Sequence, residues 1–213
     1  GTVVAANTFD KGVYIDGGLG VGVSIQAALN AVTKGGTVMI QPGTYNERLT
    51  ITKSVNIIGD PENPDAVVIE YEVANGTPVV TLDADNITLK GVTVRNAGKG
   101  PAVQTMATHS GYHILNNIFA DSTFGLYLHS QGTYETVVTG NLFRNNNSSG
   151  SSSGDGIYSD QGLINAQIEN NSFEGHKSAA IVLAAPSKVQ ANVTITDNQL
   201  DNSITIINAS NVK

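Results

Sequence analysis

The sequence predicts an all-β fold, a parallel β-helix in which short strands wind into about seven stacked coils. Val, Ile and Thr account for 60 of the 213 residues, and their branched side chains favour pleated strands. Gly and Asn add 23 and 22 residues, and both tolerate the positive φ angles of tight turns. A unit of about 24 residues recurs along the chain, which is typical of one coil of a β-solenoid.

A single helix is predicted near the start of the chain, at residues 24–34. Ser24 can cap its first turn, and the cation Lys34 stands at its end. One face of this helix is apolar, and it carries Ile25, Ala28, Leu29 and Val32. We expect the helix to cover the N-terminal coil, which would otherwise expose apolar surface and unpaired strand edges.

The coils are predicted at residues 37–207, within one β-helix domain that takes in the whole chain, 1–213. Four repeats carry an asparagine at one position, and the residue two places later is apolar in every repeat. We expect the asparagines to form a hydrogen-bonded ladder at one turn, with aromatic rings stacked beside it. The asparagines are Asn117, Asn141, Asn171 and Asn198, and the apolar residues are Val94, Phe119, Phe143, Phe173 and Leu200.

One repeat is longer than the others because it contains a serine- and glycine-rich insertion at 148–154, which we expect to be a flexible loop. Each repeat also has a second short strand, in which alternation separates inward from outward side chains. The residues expected inward are Val103, Leu126, Ile157, Ile181 and Ile204, and Thr105, Leu128, Ser159, Leu183 and Ile206. Those expected outward are Gln104, Tyr127, Tyr158, Val182 and Thr205, and Met106, His129, Asp160, Ala184 and Ile207.

The outward positions of the middle coils hold a polar and aromatic cluster. Tyrosine rings stack on sugar rings, and His, Asp and Gln side chains hydrogen-bond sugar hydroxyls. The cluster therefore predicts substrate-binding roles for Gln104, Tyr127 and Tyr158. His129 and Asp160 are candidate acid–base groups. The alternative interpretation is a solvated strand face with ordinary packing between tyrosines.

The segment from residue 24 to 60 resembles the opening coil of pectin-acting right-handed β-helix proteins, among them pectinesterases, pectate lyases and polysaccharide-binding repeat proteins. The motifs are SIQAA at 24–28, GTV at 36–38, PGTY at 42–45, LTI at 49–51 and IIGD at 57–60. Weaker Asn-x-Phe and Gly-Ile/Leu-Tyr repeats extend the resemblance to about residue 207. The resemblance implies a right-handed coil, and it does not specify the reaction.

Pectinesterases use a Gln–Asp pair, a second Asp, and an Arg near a Trp. By this resemblance Asp121 matches the first catalytic Asp and Asp155 the second. Ala120 stands where the paired Gln is required, the chain has no Trp, and no Arg follows Arg144. We therefore do not extend esterase activity to this chain from the resemblance.

Two classes of function remain. The first is a non-catalytic extracellular or cell-surface module, part of a larger secreted protein, that binds polysaccharide or a surface glycan or mediates adhesion. The second is a polysaccharide lyase, epimerase or esterase that acts through Asp121, His129, Asp155 and Asp160. No signal peptide is recognisable at the start of this sequence. We expect another domain or chain to cover the last coil, where Ile204 and its neighbours would leave an open edge.

Charge and composition exclude other classes. Eleven basic and eighteen acidic residues give a net charge of −7, which disfavours binding of nucleic acid. No apolar run is long enough to predict a membrane span, and the absence of Cys excludes disulfides and thiolate metal sites. No cofactor is predicted apart from calcium, for which Asp83 and Asp85 are weak candidate ligands.

Overall fold

The computed structural model describes residues 12–15, 19–20, 24–72, 76–95, 98–184, 190–207 and 209–212, so the first eleven residues of the predicted domain lie outside the described residues. In chain order the elements are β1 Val13–Ile15, β2 Leu19–Gly20, α1 Ile25–Ala31, β3 Thr37–Ile40, β4 Gly43–Asn46, β5 Leu49–Ile51, β6 Asn56–Ile58, the 3₁₀ turn Pro64–Ala66, β7 Val67–Glu70, β8 Val80–Leu82, β9 Thr88–Lys90, β10 Thr93–Arg95, β11 Val103–Thr105, β12 His113–Leu115, β13 Ile118–Ala120, β14 Phe124–Tyr127, β15 Thr136–Thr139, β16 Leu142–Arg144, β17 Asp155–Ser159, β18 Leu163–Glu169, β19 Ser172–Glu174, β20 Ala179–Ala184, β21 Gln190–Thr196, β22 Ser203–Ile207 and β23 Ala209–Val212.

These strands form three sheets. Sheet A has the order β2-β1-β3-β6-β9-β12-β15-β18-β21-β23, sheet B the order β19-β16-β13-β10-β7-β4, and sheet C the order β22-β20-β17-β14-β11-β8-β5. From β3 to β20 each coil contributes one strand to each sheet in turn, and the last coil adds β21 to sheet A and β22 to sheet C. All pairs are parallel except those of β1 with β2 and β3. The seven strands of sheet C confirm the predicted fold class and the number of coils.

The interior of the coils holds the predicted asparagine ladder. Asn117 Nδ2 donates to Asn141 Oδ1 at 3.0 Å, Asn141 Nδ2 to Asn171 Oδ1 at 2.9 Å, and Asn171 Nδ2 to Asn198 Oδ1 at 3.0 Å. The residue before each ladder position has positive φ, as Asn116 and Asn170 do, and this backbone turn directs the next side chain inward.

The predicted aromatic stack lies beside the ladder. The rings of Phe143 and Phe173 are parallel, with centroids 4.7 Å apart, and Phe119 follows at 5.3 Å from Phe143. Glycine in sheet C leaves room for these rings, because a Cβ on Gly156 would lie 2.5 Å from Phe173 Cδ1 and 2.6 Å from the Ala180 carbonyl oxygen.

The predicted cap helix is present, although it is shorter than expected and ends at Ala31. Its buried residues pack over the first coil, and Ser24 Oγ accepts from the Ala27 amide as predicted. Side chains from the first coil hold both ends. The Glu47 carboxylate accepts from the amides of Ile25 and Gln26, and Lys53 Nζ, rather than Lys34, donates to carbonyls at the end of the helix.

Two inward predictions at the last coil need correction. Ile204 and Ile206 pair in register with the buried Ile181 and Leu183, yet they are 37% and 40% exposed. The reason is that β22 is an edge strand of sheet C, with β20 on one side and no described strand on the other.

Candidate functional site

An open groove of about 430 Å³ lies against sheet C in the middle coils. We call it the tyrosine groove. Its floor is formed by Phe124, Tyr127, Tyr158 and Asp160, and successive turns between sheets B and C form its walls. The wall residues are Gly76, Lys99, Gly100, Pro101, Thr123, Gly150, Ser151 and Ser152. The volume is in the range of roughly 300–1,000 Å³ that small-molecule sites occupy.

Parallel pairing of β14 with β17 sets the two tyrosines side by side, because Tyr127 and Tyr158 are register partners. Their ring centroids are 5.8 Å apart. Phe124 meets both rings edge-on, at 5.3 Å from Tyr127 and 5.6 Å from Tyr158. Phe124 is buried while both tyrosines are partly exposed, so the floor is a supported aromatic surface that faces solvent.

Asp160 supplies the polar end of the floor. Its Oδ1 accepts from the Tyr127 hydroxyl at 2.8 Å and lies 3.3 Å from Nε2 of His129. Its side chain is one-third exposed. Among the described residues, no donor reaches its second oxygen, Oδ2, which is therefore available to a ligand.

The prediction that His129 presents its side chain to solvent is wrong, because this residue is only 1% exposed. The strand ends at Tyr127, so alternation no longer applies, and the ring packs against Tyr127 with centroids 4.2 Å apart. Thr105 of the preceding coil holds His129 in place. The His129 amide donates to Thr105 Oγ1 at 2.7 Å, Thr105 Oγ1 donates to the His129 carbonyl oxygen at 2.8 Å, and Nδ1 of His129 lies 3.1 Å from the Thr105 carbonyl oxygen.

Burial changes the proton affinities of these groups. Burial and the hydrogen bond to Asp160 raise the pKa of Tyr127 to about 12, so its hydroxyl remains a donor. Burial lowers the pKa of His129, and the Thr105 carbonyl and Asp160 partly oppose this effect.

The other predicted catalytic residues do not line the groove. Asp121 is exposed in a turn with positive φ, at the position that Asn145 and Gly175 occupy in the next two coils. Asp155 is buried, and its Oδ1 accepts from the Ala179 amide at 3.1 Å. Burial raises the pKa of Asp155, and hydrogen bonds partly oppose the rise. Asp121 therefore belongs to a turn and Asp155 stabilises the backbone of the next coil, and neither carboxylate reaches the groove.

Gln104, on β11, is the register partner of Tyr127, but its side chain contacts Met106, which follows the same strand, instead of the groove. Its Nε2 lies 3.8 Å from Met106 Sδ. Gln104 is thus near the tyrosines, as predicted, without lining the space beside them.

The candidate calcium ligands lie elsewhere, at a turn between sheets C and A. Asp83 Oδ1 and Asp85 Oδ1 approach the two ring nitrogens of His109, at 3.4 Å and 3.6 Å. Asp85 Oδ1 also accepts from the Ser110 amide at 2.8 Å. No group of three or more His, Cys, Asp or Glu residues in the described part of the chain is arranged to hold a metal ion. Calcium at this pair stays a prediction.

The sequence does not predict three parts of the site: the support from Thr105, the buried Phe124, and the wall at 150–152. Alternation predicts an inward side chain for Thr105, but its partner His129 lies one coil away, at a position for which alternation predicts the opposite face. The serine-rich segment 148–154 contributes a wall because the Ser148 and Gly154 amides donate to carbonyls of the preceding coil, which anchors its ends.

Comparisons with known proteins agree with this architecture. A family model described as a right-handed β-helix region matches residues 11–213. A pectin methylesterase solved in complex with a hexasaccharide is 16% identical, with a TM-score of 0.53 over 84% of this chain and 62% of that chain. The pectin methylesterase from Yersinia enterocolitica is 16% identical, with a TM-score of 0.52 over 83% of this chain and 81% of that chain. The enzyme from Aspergillus niger in deglycosylated form is 14% identical, with a TM-score of 0.52 over 90% and 82%.

At these identities the structural likeness shows the fold alone. The chain also spans less than two-thirds of the hexasaccharide-bound enzyme. A search of curated protein sequences found no match. The described residues contain no helix long and apolar enough to cross a membrane. The family match over nearly the whole chain, together with the stacked parallel coils, shows that this protein belongs to the right-handed β-helix family.

Proposed function

We propose that this chain is a non-catalytic, extracellular polysaccharide-binding module, and that the tyrosine groove holds the saccharide. The aromatic floor is the observation that carries the proposal. Tyr127 and Tyr158 offer neighbouring, partly exposed rings, and Phe124 supports both from below. The apolar face of a sugar ring can pack on such a surface while its hydroxyls remain free to hydrogen-bond.

Polar groups around the floor suit sugar hydroxyls. The free oxygen of Asp160 can accept hydrogen bonds, and Ser151 and Ser152 on the opposite wall can donate or accept them. Lys99 is the cation among the described lining residues, so the groove carries one group of each charge. A largely neutral saccharide fits this balance better than a uronate polymer, since the whole chain has a net charge of −7.

The positions of the three candidate carboxylates favour a binding function over a catalytic one. Asp121 lies in a turn, Asp155 is buried on a backbone amide, and only Asp160 faces the groove. Two-carboxylate mechanisms require a second carboxylate within reach of the same substrate. Among the described lining residues Asp160 supplies the one carboxylate.

Calorimetric titration with oligosaccharides, chosen by a glycan array, tests the proposal. The double variant Tyr127→Ala/Tyr158→Ala should bind about tenfold more weakly or worse, because two ring contacts are lost. Tyr134→Ala is the matched control, since Tyr134 is exposed and lies outside the groove. Equal affinity of the double variant and the wild type would contradict the proposal.

A polysaccharide-active enzyme is the second candidate, and one observation favours it. Tyr127, Asp160 and His129 form a continuous hydrogen-bonded row that opens into the groove. An assay of pectin and polygalacturonate with calcium distinguishes the two candidates. Unsaturated products that absorb ultraviolet light, or released methanol, would establish catalysis if Asp160→Asn abolished them.

A further inference from the structure

The ring of His129 faces a hydrogen-bond acceptor at each of its two nitrogens. Nδ1 lies 3.1 Å from the Thr105 carbonyl oxygen, which can only accept. Nε2 lies 3.3 Å from Asp160 Oδ1, which already accepts from the Tyr127 hydroxyl. A neutral imidazole carries one N–H, so it can satisfy one of these two contacts.

The second buried histidine provides an internal comparison. His176 Nδ1 lies 3.2 Å from Asp201 Oδ2, an acceptor, but its Nε2 lies 3.3 Å from Asn146 Nδ2, a donor. The Asn146 amide is oriented by its Nδ2 contact with the Phe119 carbonyl oxygen and by the Ser122 amide at its Oδ1. Neutral His176 therefore satisfies both contacts, whereas neutral His129 leaves two acceptors facing each other.

We propose that His129 and Asp160 hold one proton between them, and that this proton makes saccharide binding in the tyrosine groove stronger in mild acid than at neutral or higher pH. This inference rests on the proposed function and specifies how the same site is regulated. With the proton present, Nε2 and Oδ1 form a charge-assisted hydrogen bond, or its neutral equivalent, and Asp160 keeps its position beside Tyr127. Without it, the neutral ring donates from Nδ1 to the Thr105 carbonyl oxygen, so lone pairs of Nε2 and Asp160 Oδ1 face each other and Asp160 turns away.

Few other charged groups lie near His129 and Asp160. Among the described residues that contact the ring, Asp160 follows β17 and is the charged one. Tyr127, at the end of β14, is neutral, and Thr105 on β11 contributes a carbonyl and a hydroxyl. Burial places the pKa of His129 below its ordinary value, so the proton leaves before the pH reaches neutrality.

Two measurements test the inference separately. Nitrogen-15 NMR of the histidine rings, from about pH 8 to about pH 5, reports protonation without any saccharide. His129 should take up its proton at a higher pH than His176, with assignments from His109→Gln, His113→Gln and His176→Gln variants. Calorimetry should show binding that is about tenfold stronger at the lower pH.

Asp160→Asn provides the decisive variant. The amide can donate to neutral His129 Nε2 and to the Tyr127 oxygen, so no shared proton is needed, and binding should become independent of pH. Thr105→Val removes the hydroxyl that holds the His129 backbone, so the ring should move away from the Thr105 carbonyl oxygen. His129 should then take up its proton at a lower pH, and Thr105→Ser should restore the wild-type value.

The outcomes separate the two proposals. Binding that does not change with pH, or a His129 ring that stays neutral at about pH 5, would overturn this inference and leave saccharide binding intact. A shared proton on His129 with no saccharide bound at any pH would instead overturn the proposed function, and the pH control of binding with it.

Discussion

In this fold, the charge that a buried side chain can carry depends on its hydrogen-bond partners one coil away. His176 is an example, because Asp201 and Asn146 lie in neighbouring coils and together accommodate the neutral ring. Burial lowers the pKa of His176 from its ordinary 6.5, and Asp201 and Asp155 only partly oppose this. In the unfolded chain His176 therefore takes up a proton near pH 6.5, whereas in the folded chain it does so only at a lower pH.

His176 should accordingly make the protein less stable in acid. Its contribution is fully present above pH 6.5 and is lost as the pH falls through the lower pKa of the folded state. The variant His176→Gln should show a smaller fall in melting temperature between neutral and acidic buffer than the wild type. His113→Gln, on an exposed position of β12, is the control. A slope unchanged by His176→Gln would contradict the role of burial.

Among the elements, the ladder lies at the turn from sheet A to sheet B in the four coils that carry Asn117, Asn141, Asn171 and Asn198. Asn141 Oδ1 accepts from the amide and from Nδ2 of Asn117, and Asn141 Nδ2 donates to Asn171 and to the carbonyl of Ile114. All of these groups are buried, so water cannot replace a lost partner.

Replacing Asn141 by Ala should therefore lower the free energy of unfolding by about 2–4 kcal/mol, since buried donors and acceptors lose their partners. Urea denaturation measures the change. Asn46→Ala serves as the control because Asn46 is exposed on β4, and we expect it to change stability little. A loss as small as that of the control would show that the ladder contributes little stability.

At the scale of the whole molecule, the two ends of the coil stack differ. Helix α1 covers the first coil, while β22 leaves Ile204, Ile206 and Ile207 exposed. Exposed apolar side chains on an edge strand favour pairing with another chain. We therefore still propose that a further domain or a second chain covers this end.

The double variant Ile204→Thr/Ile206→Thr should reduce self-association at high protein concentration, as measured by light scattering. Threonine retains the branched shape that suits a strand and removes apolar surface. Met39→Thr, at an exposed apolar position on sheet A, is the matched control. If both variants scatter light as the wild type does, the exposed end is not an association surface.

The coil repeat, the asparagine ladder, the phenylalanine stack and the cap helix follow from the sequence. The first three depend on spacing along the chain, because a residue in one coil stacks on the equivalent residue about one repeat later, and the helix depends on its cap and apolar face. The site, in contrast, depends on contacts between coils that the sequence pattern does not specify. Tyr127 meets Asp160 across 33 positions, and His129 is buried because the strand ends before it. Alternation of side chains applies only within a strand, so it does not predict the burial of His129. Turns of unequal length form the groove walls, so the repeat does not predict them either.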